Sequence, residues 1–191
     1  MRRSEATQSL GRRVRGRVVV EPEALATAGR DGSHLVGEPL AVVTPRDAAD
    51  VVALVRWARR QRVPLVARGG GTSLDGESVP ADGSVVVDLA GWNSVREVSA
   101  EGRWARVEPG VVNARLQEVV RPFGLFFPPN PGSWQTATIG GNVATNASGP
   151  RSFRYGPMRR WVCAAEVVLG TGELVRLGSR VAKRSVGPDL L

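Results

Sequence analysis

The run Arg68-Gly-Gly-Gly-Thr-Ser-Leu-Asp-Gly76 is the first pattern with chemical content. It directly follows a short apolar stretch, Pro64 to Ala67. Three adjacent glycines lose much backbone entropy when ordered, so an ordered run needs a reason. Close approach to a ligand is one. Gly69, Gly70 and Gly71 can turn successive N–H groups into one concavity, which favours an anion. Thr72 and Ser73 add hydroxyl donors, and the set suits a pyrophosphate. Composition alone leaves a plain surface turn equally open. Two familiar phosphate loops are excluded. No Gly-Lys-Ser/Thr follows the glycines, and Leu74 stands where the dinucleotide fingerprint needs its third glycine.

A second segment spans residues 128–150, Pro-Pro-Asn-Pro-Gly-Ser-Trp-Gln-Thr-Ala-Thr-Ile-Gly-Gly-Asn-Val-Ala-Thr-Asn-Ala-Ser-Gly-Pro. Its hydroxyls, amides and glycines are too dense for an ordinary buried element. Gly140-Gly141 permits backbone to approach a flat ligand, while Asn142 and Asn146 can donate and accept at its polar edge. The alternative is a long solvated loop, unusual at this length. Two such segments, far apart in sequence, could converge on one elongated ligand.

The elements that must position them are short. Leu40 to Val43 reads as a buried strand, and residues 22–36 as weakly helical up to Ala28, then a loop. Thr44 is expected to cap the next helix, with Pro45 at its first position and Asp47 as the reciprocal carboxylate. Val51, Leu54, Val55 and Ala58 form its apolar stripe. Pro64–Ala67 and Ser84–Leu89 are further strands, and Val95–Val98 and Arg103–Val107 a pair around Glu101-Gly102. Residues 111–121 form a second amphipathic helix, with Val112, Leu116, Val119 and Val120 inward. Trp161–Leu169 reads as a long strand, turned by Gly170-Thr171-Gly172 into Glu173–Leu177. Cys163, inside that strand, is expected to be buried and inert. Strand–helix–strand order implies an α/β (α+β) fold with small parallel and mixed sheets covered by helices.

Composition removes several classes of function. Lys plus Arg is 26 against 18 Asp plus Glu, a formal charge of +8, and Lys183 is the only lysine. The arginines are scattered, without aromatic ladders, so no specific nucleic acid is expected. One cysteine and one histidine, His34, exclude an internal disulfide and two-histidine metal chemistry, so no metal is expected. No run is long and apolar enough for a transmembrane segment, and the default setting is cytoplasmic. Residues 1–17 read as a flexible basic tail.

Collinear motifs carry a resemblance: Asp31-Gly-Ser-His-Leu, Pro39-Leu-Ala-Val-Val-Thr-Pro45, Arg68 to Gly76, Phe127-Pro-Pro-Asn-Pro-Gly-Ser133, Thr138-Ile-Gly-Gly-Asn142, Asn146-Ala-Ser-Gly-Pro150, Tyr155-Gly156 and Glu166-Val-Val-Leu169. Together they resemble the FAD-binding PCMH-type domain of the vanillyl-alcohol-oxidase/FAD-linked oxidase superfamily, nearest the glycolate oxidase subunit and D-lactate dehydrogenase group. The resemblance covers about residues 20–190 and implies a two-lobed fold. Its lobes would span about 18–90 and 91–191, as an incomplete domain over 18–191.

By position, the resemblance implies that Arg68, Gly69, Gly70, Gly71, Thr72 and Ser73 cradle the pyrophosphate of FAD. Pro129, Asn130 and Pro131 would meet the cofactor near phosphate or ring. Thr138, Gly141, Asn142 and Asn146 would line the flavin and ribityl region, and Gly149 and Val167 would bring backbone close. Asn130 replaces the aspartate common in relatives. Thr72 stands where tethering relatives carry a histidine, so FAD is expected to be non-covalent. The implied reaction is oxidation of a small D-2-hydroxy acid, lactate- or glycolate-like, by hydride transfer to flavin N5. No catalytic residue is assigned, because the resemblance puts the substrate groups in a cap domain or partner subunit. It also puts a later Gly-Ser-Glu-Gly segment beyond Gly187-Pro188-Asp189-Leu190. The alternatives are a catalytically incomplete remnant or assembly module of the same fold, or an unrelated basic binding module.

Overall fold

The computed structural model describes residues 3–179. Expectations for Gly187 to Leu190 lie outside the described residues. Four strands build the first sheet: β1 (Arg17–Val19), β2 (Ala41–Thr44), β3 (Leu65–Arg68) and β4 (Val85–Asp88), in the order β1-β2-β4-β3. β4 lies parallel to both β2 and β3, and β1 closes the edge antiparallel to β2. β2 and β4 are covered on both faces, which is why Ala41-Val-Val and Val85-Val-Val are unbroken apolar runs. On one face Ala41, Val43, Val85 and Val87 pack with Leu54, Trp57 and Ala58 of α3 (Ala48–Gln61). On the other, Val42 and Val86 meet Ala28 and Leu25 of α2 (Pro22–Ala28).

The expected flexible tail holds a helix instead. α1 (Arg3–Gly11) places Leu10 in the sheet core with no exposure, and Val14 follows it inward. Burying one leucine is worth about 1.5–3 kcal/mol, enough to bias a short segment. Polar contacts fix the register. The Trp57 indole donates to Ser9 Oγ at 3.2 Å. Arg15 N–H donates to Asp50 Oδ1 at 2.9 Å, and the Arg15 guanidinium to Asp47 at 2.7 Å.

The start of α3 also differs from expectation. Thr44 remains in β2, and Asp47 is itself the cap, accepting from Asp50 N–H at 3.0 Å. Pro45 and Arg46 lead from the strand into the helix, so the cap falls three residues later. Arg62 ends the helix in the left-handed region, φ 55°.

A second core gathers residues from 95 to 162. The hairpin β5 (Val95–Ser99) and β6 (Trp104–Val107) packs with α4 (Asn113–Val120) and α5 (Ile139–Ala144) around Val111, Leu116, Val120, Ile139 and Met158. The short α6 (Ser152–Tyr155) and a 3-10 turn, Met158–Trp161, follow. The last hairpin is β7 (Ala164–Val168) with β8 (Leu174–Gly178), antiparallel. Trp161 therefore does not begin a long strand. Its indole instead donates to the Tyr155 carbonyl at 3.2 Å, and its ring meets Tyr155 edge to face. Cys163 precedes β7 and is exposed, not buried.

Candidate functional site

β3 delivers the chain into the glycine turn at its carboxyl end, beside the carboxyl end of parallel β4. Ligands of open α/β sheets gather at such strand ends. Leu89 N–H donates to the Arg68 carbonyl at 2.9 Å, the last bond of this ladder. Beyond it the chain leaves regular structure until β4. Gly71 has φ 60°, a backbone state that glycine adopts without strain. Among the described residues, no amide of residues 69–73 donates a hydrogen bond to another protein group. Gly70 is exposed and the other four residues are half-buried, so these donors are open to water or to a ligand.

The turn lies against the second segment. A β-carbon on Gly69 would fall 2.1 Å from Thr138 Oγ1, and one on Gly70 would fall 2.3 Å from the Thr136 carbonyl oxygen. Residues separated by about a third of the sequence are thus in direct contact. Thr138 is buried and caps α5, its Oγ1 accepting from Gly141 N–H at 3.3 Å. Ile139 and Gly140 N–H donate to the Val111 and Pro109 carbonyls, both at 2.7 Å. Gly140 was expected to approach a flat ligand; its close neighbour is Pro109. Asn142 is 4% exposed, and its side-chain Nδ2 has no hydrogen-bond partner.

The remaining candidates occupy a connected scaffold. Pro129 is buried, and its carbonyl accepts from Asn113 Nδ2 at 3.0 Å. A β-carbon on Gly149 would sit 1.8 Å from the Asn130 carbonyl oxygen, so these backbones touch. The Pro131 carbonyl accepts from Trp134 N–H at 3.0 Å. Asn146 is in the left-handed region, φ 49°, and its Oδ1 accepts from Arg159 N–H at 2.9 Å. Its amide oxygen therefore ties this stretch to the 3-10 turn Met158–Trp161. Val167 lies in β7 opposite Val175. Arg68 folds back over Gly71 and donates to the Arg30 carbonyl at 2.6 Å. The Thr72 and Ser73 carbonyls lie against Gly32, and Ser73 Oγ accepts from Asp75 N–H at 3.2 Å.

Four contributors escaped the reading of residue types. Thr136 meets the turn through its carbonyl, which no side-chain pattern reveals. Asn113 sits at a helical position that its polarity marks as exposed, yet it is fully buried. Asp31 accepts from the Ser78 hydroxyl, a pairing of distant residues that no local pattern reveals. Burial raises the Asp31 pKa, but hydrogen bonds from Ser33 and Ser78 outweigh that and hold the carboxyl below its usual range. Among the described residues, no group of three or more metal-ligating side chains occurs.

A family model described as FAD binding domain matches residues 39–178. The D-2-hydroxyglutarate dehydrogenase of Stutzerimonas stutzeri is 39% identical over 176 residues, which is 92% of this chain and 38% of that protein. The glycolate oxidase subunit GlcD of Bacillus subtilis is 38% identical over 152 residues, 80% of this chain and 32% of its own length. The solved 4-ethylphenol oxidase from Gulosibacter chungangensis matches with a TM-score of 0.80 at 27% identity, over 98% of this chain and 38% of that one. The chain thus spans well under half the length of each of these proteins. A turn of unpartnered amides at the end of β3, a facing segment rich in small polar residues and a match across both cores have one common source: this chain belongs to the FAD-binding domain family of FAD-linked oxidoreductases.

Proposed function

We propose that the glycine turn and the facing segment bind FAD non-covalently, within a protein that oxidises a small D-2-hydroxy acid. The unpartnered amides of residues 69–73 carry the reading, because they present donors where an anion would need them. The buried Nδ2 of Asn142 is a second open donor, suited to a carbonyl or ring nitrogen of the flavin. The open amides of the turn and the orphaned Asn142 amide both fit the group. Arg68 to Ser73 would hold the pyrophosphate. Thr138, Gly141 and Asn142 would line the flavin side, with Pro129, Asn130, Pro131, Gly149, Asn146 and Val167 completing the wall. FAD supplies a hydride acceptor at N5 when bound. The chain's own task is to orient the cofactor and exclude water.

In this reading two lobes that divide near residue 90 build the flavin domain. A cap domain or partner subunit supplies the substrate groups. The location is cytoplasmic, consistent with a reduced lone cysteine; among the described residues no helix is long and apolar enough to cross a membrane. Thr72, at the position of the tether in tethering relatives, supports non-covalent attachment.

Titration of the purified chain with FAD tests the cofactor reading. Saturable quenching of flavin fluorescence is expected, with all flavin released on acid precipitation. Gly70→Trp, whose side chain would collide with Thr136, should weaken binding at least tenfold, or ~1.4 kcal/mol. A folded wild-type chain that never saturates would favour the assembly-module alternative, and unchanged affinity in Gly70→Trp would reject the assigned turn. Anaerobic bleaching of the loaded flavin by D-2-hydroxyglutarate, D-lactate or glycolate tests the donor class; no bleaching in a form that includes the cap would exclude it.

A further inference from the structure

The segment from Gly69 to Val79 has no helix or strand to hold its shape, yet an anion turn must keep its amides aimed together. The turn at residues 30–35 braces it from below. Arg68 donates to the Arg30 carbonyl at 2.6 Å. Gly32 lies so close that a β-carbon there would fall 2.8 Å from the Ser73 carbonyl oxygen. A β-carbon on Gly76 would meet Leu35 at 2.6 Å. The Asp31 side chain joins both segments through polar bonds of its own. Its Oδ1 accepts from Ser33 N–H at 2.9 Å. Its Oδ2 accepts from the Ser78 hydroxyl at 3.2 Å and from Ser78 N–H at 3.4 Å.

A carboxylate in this place is an anomaly for the proposed ligand. Ionised, it repels a pyrophosphate in the neighbouring turn, and any neutral side chain would avoid that cost. Its use is geometric. Only a carboxylate offers two acceptor oxygens and no donor, matching the donors of Ser33 and Ser78 together. We infer that Asp31 is a positioning residue that fixes the glycine turn in its anion-binding shape by tying Ser78 to the 30–35 turn. The inference rests on the FAD reading above and assigns Asp31 no contact with the cofactor.

The sign of one substitution separates geometry from charge. Asp31→Asn removes the repulsive charge with little change of shape. It also replaces one acceptor with an amide N–H₂ that faces a donor. If Asp31 acts by position, FAD binds Asp31→Asn several-fold more weakly, despite the lost repulsion. If charge dominates, FAD binds it more tightly, and the inference is overturned. Ser78→Ala removes only the hydroxyl bond and should weaken FAD binding by a smaller factor. The double variant should be no weaker than Asp31→Asn, because both act through one contact. Additive losses would overturn the tie. Riboflavin, which has no phosphate, should bind wild type and Asp31→Asn equally; an equal loss for riboflavin and FAD would show a general fold defect instead. A wild-type chain that does not bind FAD at all fails the cofactor reading itself. Binding by wild type with unchanged affinity in both variants fails only the inference about Asp31.

Discussion

Asn142 concentrates the tension between stability and binding in one side chain. Leaving a buried amide donor unpaired costs about 1–3 kcal/mol. A fold selected only for stability would put an apolar residue there, as the neighbouring Ile139 shows. Asn142→Leu should therefore leave the thermal midpoint of the FAD-free chain unchanged or higher. The same variant should weaken FAD binding about tenfold, since the donor proposed for the ligand is gone. Calorimetry with and without FAD checks both signs. A variant that loses stability without FAD would mean that Asn142 is a structural polar residue with an unseen partner. Residue types alone marked Asn142 and the triple glycine, because amides and glycines are conspicuous. They did not mark Thr136, whose contribution is a backbone oxygen, nor separate Gly140, which packs on Pro109, from Gly141.

Elements were legible where apolar runs were dense. β2, β4 and the stripe of α3 follow directly from Ala41-Val-Val, Val85-Val-Val and the spacing of Leu54 and Ala58. α1 was illegible because a single apolar residue, Leu10, anchors it, and a lone residue has no period. Its attachment depends on charge at the start of α3. Burial raises the Asp50 pKa, but N–H groups of Arg15 and Arg46 and the Arg15 guanidinium outweigh it and hold the carboxyl below 3.8. A carboxyl depressed in the folded state stabilises above its unfolded value and loses that contribution as pH falls through the folded one. The α1 contact should therefore persist from neutral pH down to about 4 and weaken below it. Trp57, whose indole donates to Ser9 of α1, reports the change. Its emission should shift below pH ~4, with Asp50→Asn showing the shifted signal already at neutral pH and Trp57→Phe removing it. An emission that stays constant to pH 2 would show that Asp50 does not hold α1.

At the scale of the whole molecule, two cores frame one site. The sheet core holds β3 and launches the glycine turn, while the second core holds α5 and presents Thr138 and Asn142. At the site they meet through Gly69 against Thr138 and Gly70 against Thr136. That meeting was readable in outline, since two glycine-rich segments far apart in sequence suggested a shared ligand. Its physical form was not, because close packing of backbone on backbone leaves no trace in side-chain pattern. The bracing turn at residues 30–35 was hidden for the same reason.

Amide hydrogen exchange with and without FAD tests the central claim most directly. The account predicts that peptides covering residues 69–73 and 138–142 gain protection together at the same FAD concentration, while the stretch Arg56 to Arg60 in α3 does not change. Protection of one segment without the other, or a response confined to residues outside both, would contradict it.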